Sequence, residues 1–313
     1  MRLLFMGTPQ FAVPTLKALL SSHHSVSAVF TQPDKPSGRG EKVSMSPVKQ
    51  LALERGAAVY QPEKLRAADW QTVFAGLKAD AFVVVAYGKI LPQWLLDVPP
   101  LGAYNVHASL LPKYRGAAPI QWAIANGETT TGVTTMKLDA GMDTGDLLLQ
   151  QEIPIQPEDT WAPIHDRLAP IGAQLMLRTL EGLEKGTARQ VPQDPALATY
   201  APMLKKSDGL LDWSQSAVSL HNRVRAFNPW PGTHTSLQGQ ALRVWKARPA
   251  EGLNESLPPG SLLHDSSGAA VVACGTGALK LEEVQLENRK RTLAQDFLHG
   301  LRLGRSQSIL LGR

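Results

Sequence analysis

Asn105 and His107 lie two residues apart at the end of an apolar run, Ala103 to Val106, that reads as a β-strand entering a polar loop. Side chains two apart on an extended backbone project from one face, so the amide and the imidazole point the same way. Pro112 and Gly116 hold the following loop irregular before a helix-like run from Pro119 to Ala125. A second strand-like run, Gly132 to Leu138, delivers Asp139, Asp143 and Asp146 into a turn spaced by Gly141 and Gly145. An amide can donate to a developing oxyanion, an imidazole can move a proton, and a carboxylate can orient and charge that imidazole. Such a set suits chemistry at a carbonyl. Singly, a His at a strand end serves local structure, and an Asp in a glycine-rich turn is turn chemistry. Their convergence in polar loops at strand ends, where open α/β sheets bind ligands, argues for a site.

Other chemistries fit less well. Ser109 follows His107 by two residues with no nucleophile elbow around it, so it shapes the loop rather than reacting. The aspartates lack the spacing of a calcium loop, and one His with no second His or Cys nearby is poor for zinc, so no metal is expected.

The two loops need a scaffold, and the N-terminal half reads as one. Arg2 to Met6, Val26 to Thr31, Ala57 to Tyr60 and Ala81 to Ala86 are short apolar strands. They alternate with helical runs at Phe11 to Leu20, Pro47 to Arg55 and Trp70 to Leu77. Such alternation predicts an α/β domain, a Rossmann-like parallel sheet with helices on its faces. No Gly-x-Gly-x-x-Gly follows the first strand and no phosphate loop is present, which disfavours a nicotinamide dehydrogenase or a nucleotide hydrolase. Gly7-Thr-Pro9 can serve an anion at a helix start, or simply turn the chain. After a strand from Leu147 to Ile155 comes a long helical segment ending before Gly186, which Pro170 should kink or interrupt.

The 313 residues suit two domains, and 43% hydrophobic with 19% charged content describes a soluble globular protein, whose single cysteine fits the cytoplasm. The one cysteine, Cys274, sits in an apolar run as a packed thiol and fits a reducing compartment. Residues 1–189 form the expected catalytic domain, proline-rich 190–208 a linker, and 209–313 a small β-barrel built from short runs between turns such as Gln238-Gly239. Of the net charge of +5, +1 lies in the first part and +4 in the last, compatible with a polyanionic partner.

Asn105-Val-His107, Ser109-Leu-Leu-Pro112 and Asp143-Thr-Gly-Asp146, in this order, resemble the signature of the folate-dependent formyltransferases. These enzymes move a formyl group from 10-formyltetrahydrofolate to an amine. The resemblance implies that Asn105, His107 and Asp143 are catalytic. It also implies a folate cleft lined by Tyr87, Gly88, Ile90 and Leu91, by Ser109 to Pro112 (with Leu110 and Leu111 between), and by Asp139. Thr31-Gln-Pro-Asp-Lys-Pro-Ser-Gly-Arg-Gly-Glu-Lys42 resembles the insertion that RNA-acting members place against the acceptor end of initiator tRNA. The implied amine is then that of methionyl-initiator-tRNA, and the implied role is in translation initiation. Arg39, Lys35 and Lys42 would contact RNA, with Lys205, Lys206, Arg289, Lys290 and Arg291 as further cations for phosphate. Relatives end in a domain resembling an oligonucleotide-binding (OB) barrel, with an Asn-Pro-Trp-Pro-Gly phrase that here places Trp230 in packing between domains. A monomer is expected. Two other readings remain open: a sister formyltransferase or formyl-folate hydrolase acting on a small molecule, and a non-catalytic RNA-binding protein. The first leaves the loop from Thr31 to Lys42 unexplained. The second leaves Asn105, His107 and Asp143 unexplained.

Overall fold

The computed structural model describes residues 1–37, 42–250, 257–302 and 307–312, with the chains of 35–37, 42 and 43 described in their backbone alone. It divides into two compact units: residues 1–119, 130–154 and 163–201, and residues 120–129, 155–162 and 202–313. No helix among the described residues is long and apolar enough to cross a membrane.

The first unit holds strands β1 (Arg2–Gly7), β2 (Ser25–Phe30), β3 (Lys35–Ser37), β4 (Lys42–Ser44), β5 (Val59–Tyr60), β6 (Ala81–Val85), β7 (Ala103–His107), β8 (Arg115–Gly116), β9 (Thr130–Lys137), β10 (Leu147–Pro154) and β11 (Tyr200–Ala201). Seven of them form one sheet in the order β10-β9-β7-β6-β1-β2-β5. The five from β5 to β7 are parallel, and β9 and β10 are antiparallel additions at one edge. The chain runs outward from β1 through β2 to β5, then returns to β6 on the other side of β1. That reversal opens a crevice at the carboxyl ends of β1 and β6, where doubly wound sheets bind ligands.

β1 and β6 are buried along nearly their whole length, as apolar strands covered on both faces must be. One face carries Leu4, Met6, Phe30, Phe82 and Val84 against Phe74 of a helix at Ala67–Gly76 and Leu95 and Leu96 of a short helix at Gln93–Leu96. On the opposite face lies the helix Trp161–Glu184, where Gly172 approaches so closely that a Cβ would sit 2.6 Å from Val106 Cγ1. This helix runs through Pro170 without a break, so of the expected kink or interruption the interruption does not occur. Pro170 lies on its exposed side, where water can solvate the carbonyl four residues earlier. β6 ends at Val85 rather than Ala86, because Ala86 turns to φ +46. The strand expected over Ala57 to Tyr60 shortens to β5.

The second unit contains the helix Ala217–Phe227, whose ends match the sequence pattern, capped by Ser216 accepting from Ser219 N–H. Its strands are β12 (Thr233–Leu237), β13 (Gln240–Ala250), β14 (Ser261–His264), β15 (Ala270–Ala273), β16 (Ala278–Leu286), β17 (Thr292–Leu293) and β18 (Ile309–Leu310). They form an antiparallel sheet in the order β12-β13-β16-β15-β14-β18, with β17 beside β16. Gln238 and Gly239 join β12 to β13, both at positive φ as a type I′ hairpin turn requires. The sheet curls until its edges meet: Gly312, just past β18, bridges Ser236 of β12. Leu242, Val244, Leu262, Val272, Leu279, Leu281 and Val284 fill the interior.

Candidate active site

Register places the predicted pair. Asn105 lies beside Val84 on one side and Met136 on the other, and His107 beside Thr134. Alternation then puts both side chains on the face of Val84, opposite the Gly172 helix that packs on Val106. His107 is buried, and its Nε2 lies 2.9 Å from the Tyr114 carbonyl oxygen. A carbonyl only accepts, so Nε2 carries the proton. Nδ1 lies 3.6 Å from Asp143 Oδ2. Two acceptors thus face the two ring nitrogens, the Tyr114 carbonyl within hydrogen-bond distance and the Asp143 carboxylate just beyond it. The half-buried Asn105 carboxamide makes no hydrogen bond among the described residues.

Asp143 reaches this place indirectly. β9 runs antiparallel to β7, so its end at Lys137 lies beside Tyr104, not beside His107. The loop from Leu138 to Asp146 doubles back to bring Asp143 to the imidazole. The two site loops therefore do not leave the sheet at a shared carboxyl end. Asp143 adopts φ +54, and its Oδ2 also accepts from Gly116 N–H at 2.8 Å. Asp139 accepts from Gly141 N–H and Thr144 Oγ1, so its carboxylate closes its own turn. Ser109 is fully buried and donates to the Lys113 carbonyl at 2.6 Å, as a residue that shapes the loop should.

The expected folate-lining residues divide by burial. Tyr87 is 2% exposed, packed in the sheet core, and burial raises its phenol pKa well above the ordinary value. Its side chain therefore lines no open cleft. Its carbonyl instead accepts from Thr8 Oγ1 and Gln32 Nε2, while Gly88 accepts a second bond from Gln32. The Thr8 contact ties the Gly7-Thr-Pro9 turn after β1 to the loop after β6. Gly88 is exposed, Ile90 is 86% exposed, and Leu91 is buried. Leu111 is buried, whereas Leu110 and Pro112 are partly open.

Of the expected RNA contacts, Arg39 lies outside the described residues, and Lys35 and Lys42 are described only as the backbone of the paired strands β3 and β4. The base of their loop is anchored, with Asp34 accepting from Lys49 at 2.5 Å and from Gln61 at 2.8 Å. Those two bonds hold the Asp34 carboxyl below its ordinary pKa. Lys205 and Lys206 are exposed. Arg289 to Arg291 form a turn after β16, and Arg291 is engaged by Glu283 and by the Trp245 ring. Trp230, expected to be packed, is 56% exposed. Its neighbour Asn228 anchors the phrase by donating to the carbonyls of Val224, Val244 and Trp245.

Four residues around the site carry no signal in the sequence. Arg115 is buried, and its Nε and Nη2 both donate to Gln193 Oε1. Tyr114, at φ +62, aims the carbonyl that holds His107, and its N–H donates to Thr199 Oγ1. Gln193 and Thr199 fall in the stretch expected to be a linker. Residues 190–201 instead belong to the first unit, where β11 pairs with β8. Only 202–208 of that stretch lies with the barrel. Among the described residues, the close group of metal-type donors is His23, His24 and Glu184, away from the site and joined as ion pairs and hydrogen bonds with the terminal amine. A cavity of about 570 Å³ lined by Leu148, Arg178, Lys185 and Arg189 shares no residue with the candidate site.

The fold is similar to that of an N-formyltransferase from Helicobacter canadensis in complex with folinic acid and dTDP-3-aminofucose, with a TM-score of 0.68 and 19% identity over 89% of this chain and 98% of that one. The chain is 52% identical over 309 residues to a methionyl-tRNA formyltransferase of Solibacter usitatus (strain Ellin6076), covering 99% of this chain and 98% of that protein. It is 50% identical to a protein of the same name from Geobacter metallireducens, covering 96% of each. Residues 1–180 match the formyl transferase family and residues 203–302 its C-terminal domain. This chain therefore belongs to the formyl transferase family, through both of its domains.

Proposed function

We propose that the chain transfers the formyl group of 10-formyltetrahydrofolate to the amino group of methionyl-initiator-tRNA, the reaction that supplies the starting residue for translation. The observation that carries this reading is identity of about half, over nearly the whole length, to methionyl-tRNA formyltransferases. The chemistry of the site supports it. Asn105, with its carboxamide unengaged, donates to the formyl oxygen as negative charge develops there, an interaction stronger in the transition state than in the ground state. His107, fixed through Nε2, uses its Nδ1 proton to charge-stabilise that oxygen and to protonate the departing folate nitrogen. Asp143 balances the imidazolium and orders a water that accepts the proton lost by the attacking amine.

Gly88, Ile90, Leu110, Pro112 and exposed Asp139 supply the folate surface in this reading, with Leu91, Ser109, Leu111 and the Tyr87 backbone supporting it from beneath. Lys35, Arg39 and Lys42 meet the acceptor end of the tRNA, and exposed Lys205, Lys206, Arg289 and Lys290 neutralise its backbone. Residues 1–189 with 190–201 perform catalysis, 202–208 connect, and 209–313 bind RNA. The single buried thiol supports a cytoplasmic setting, and the protein acts as a monomer.

The test incubates the protein with 10-formyltetrahydrofolate and methionylated initiator tRNA, then follows formylmethionyl-tRNA by mass spectrometry. Formylation of a sugar amine or of a glycinamide nucleotide, with none on the tRNA, overturns the reading in favour of a small-molecule enzyme. Light scattering checks the monomer.

A further inference from the structure

The geometry points to Gln193 as the positioning residue that holds Asp143 against His107. Its carboxamide is used completely. Oε1 accepts from Arg115 Nε at 3.1 Å and from Nη2 at 2.7 Å. Nε2 donates to the carbonyl of Asp143 at 2.8 Å and to that of Gly145 at 2.7 Å. The two carbonyls flank Thr144, so one amide group clamps the turn on which the Asp143 carboxylate rides. That turn needs a clamp. Asp143 is a non-glycine residue at φ +54, a backbone state that the surroundings must enforce. Its carboxylate otherwise has one backbone bond, from Gly116, and stands 3.6 Å from the imidazole. A small rotation of the turn would lose both.

Charge selects glutamine over the near-isosteric acid. A Glu at 193 would still accept from Arg115, as a charged pair in a buried setting. It could not donate to the two carbonyls and would set its own negative charge against them. If residue 193 serves only to satisfy Arg115, Gln193→Glu is harmless or stabilising. If it serves to place Asp143, the same change costs turnover. The assignment rests on the reading of Asp143 as the acid that partners His107.

The experiment compares wild type, Gln193→Glu, Gln193→Ala, Asp143→Asn and the double variant Gln193→Glu with Asp143→Asn, by steady-state formylation and by thermal melting. Both Gln193 variants are expected to lower kcat roughly 10- to 100-fold, the scale of a misplaced catalytic group. KM for each substrate stays within about twofold, since uniform binding is untouched. Gln193→Glu should melt no lower than Gln193→Ala, because it keeps the Arg115 contact. With Asp143→Asn already present, adding Gln193→Glu should cost less than about threefold, because the two act through one group. Wild-type kcat in Gln193→Glu, or its full loss persisting in the Asp143→Asn background, overturns the assignment. Wild-type kcat in Asp143→Asn itself removes the reading of Asp143 on which the assignment stands.

Discussion

The barrel and the active-site loops are stabilised by opposite means. In β12 and β13 buried residues alternate with exposed or half-buried ones, and the interior is aliphatic. Each strand contributes to that core by its own pattern, and neighbours of similar volume can substitute for one another. Around His107 almost nothing is settled locally. Its Nε2 acceptor lies seven residues on, its carboxylate partner 36 on, and the amide clamping that partner 50 residues further still. A core built by pattern tolerates exchange. A polar cluster built across the chain fails when one atom is wrong.

Substitutions at the two regions should separate activity from stability. Asn105→Ala removes a donor that makes no hydrogen bond among the described residues, so turnover should fall about 10²–10³-fold, or about 2.7–4 kcal/mol of transition-state stabilisation, with little change in melting temperature. Rapid-quench formylation alongside thermal melting measures both; a large stability loss there would erase the contrast. Leu279→Ala in the barrel should do the reverse, costing about 2–5 kcal/mol in denaturant unfolding while the folded fraction keeps its kcat.

A smaller effect concerns the base of the Thr31 to Lys42 loop. Lys49 and Gln61 depress the Asp34 carboxyl below its ordinary 3.8. A depressed acid contributes stability that is present above its unfolded pKa and lost as pH falls through the folded value. Asp34→Asn should therefore melt below wild type at neutral pH, with the gap closing under acid, below about pH 4. A gap that stays constant across that window would show the pair contributes no pH-dependent stability. The smallest effect belongs to Cys274, whose thiol is pushed by burial up to about 12. Its neutral form favours the folded state below about pH 9, and that contribution declines as pH rises towards the folded value. Native protein should leave a thiol-exchange dye unreacted at pH 8 until denaturant is added; prompt labelling would place the thiol at the surface.

The same contrast explains what was legible beforehand. The helices at Pro119–Ala125 and Ala217–Phe227 and the buried strand β6 follow from apolar spacing and turn residues that act over a few positions. Asn105 and His107 were legible because strand alternation alone puts two such side chains on one face. The inward turn of the Tyr87 phenol and the closing of its own turn by the Asp139 carboxylate were not legible, because spacing along the chain specifies neither depth nor partner.

By itself the sequence determined the alternating sheet and helices, the small barrel, and the residue types able to work on a carbonyl, since each rests on local geometry and chemistry. Only the tertiary structure decided that β9 runs antiparallel, that Asp143 doubles back to the imidazole, and that Gln193 in a proline-rich stretch reaches across to hold it. Those contacts join residues tens of positions apart, and no local propensity specifies which distant carbonyl a single amide will find.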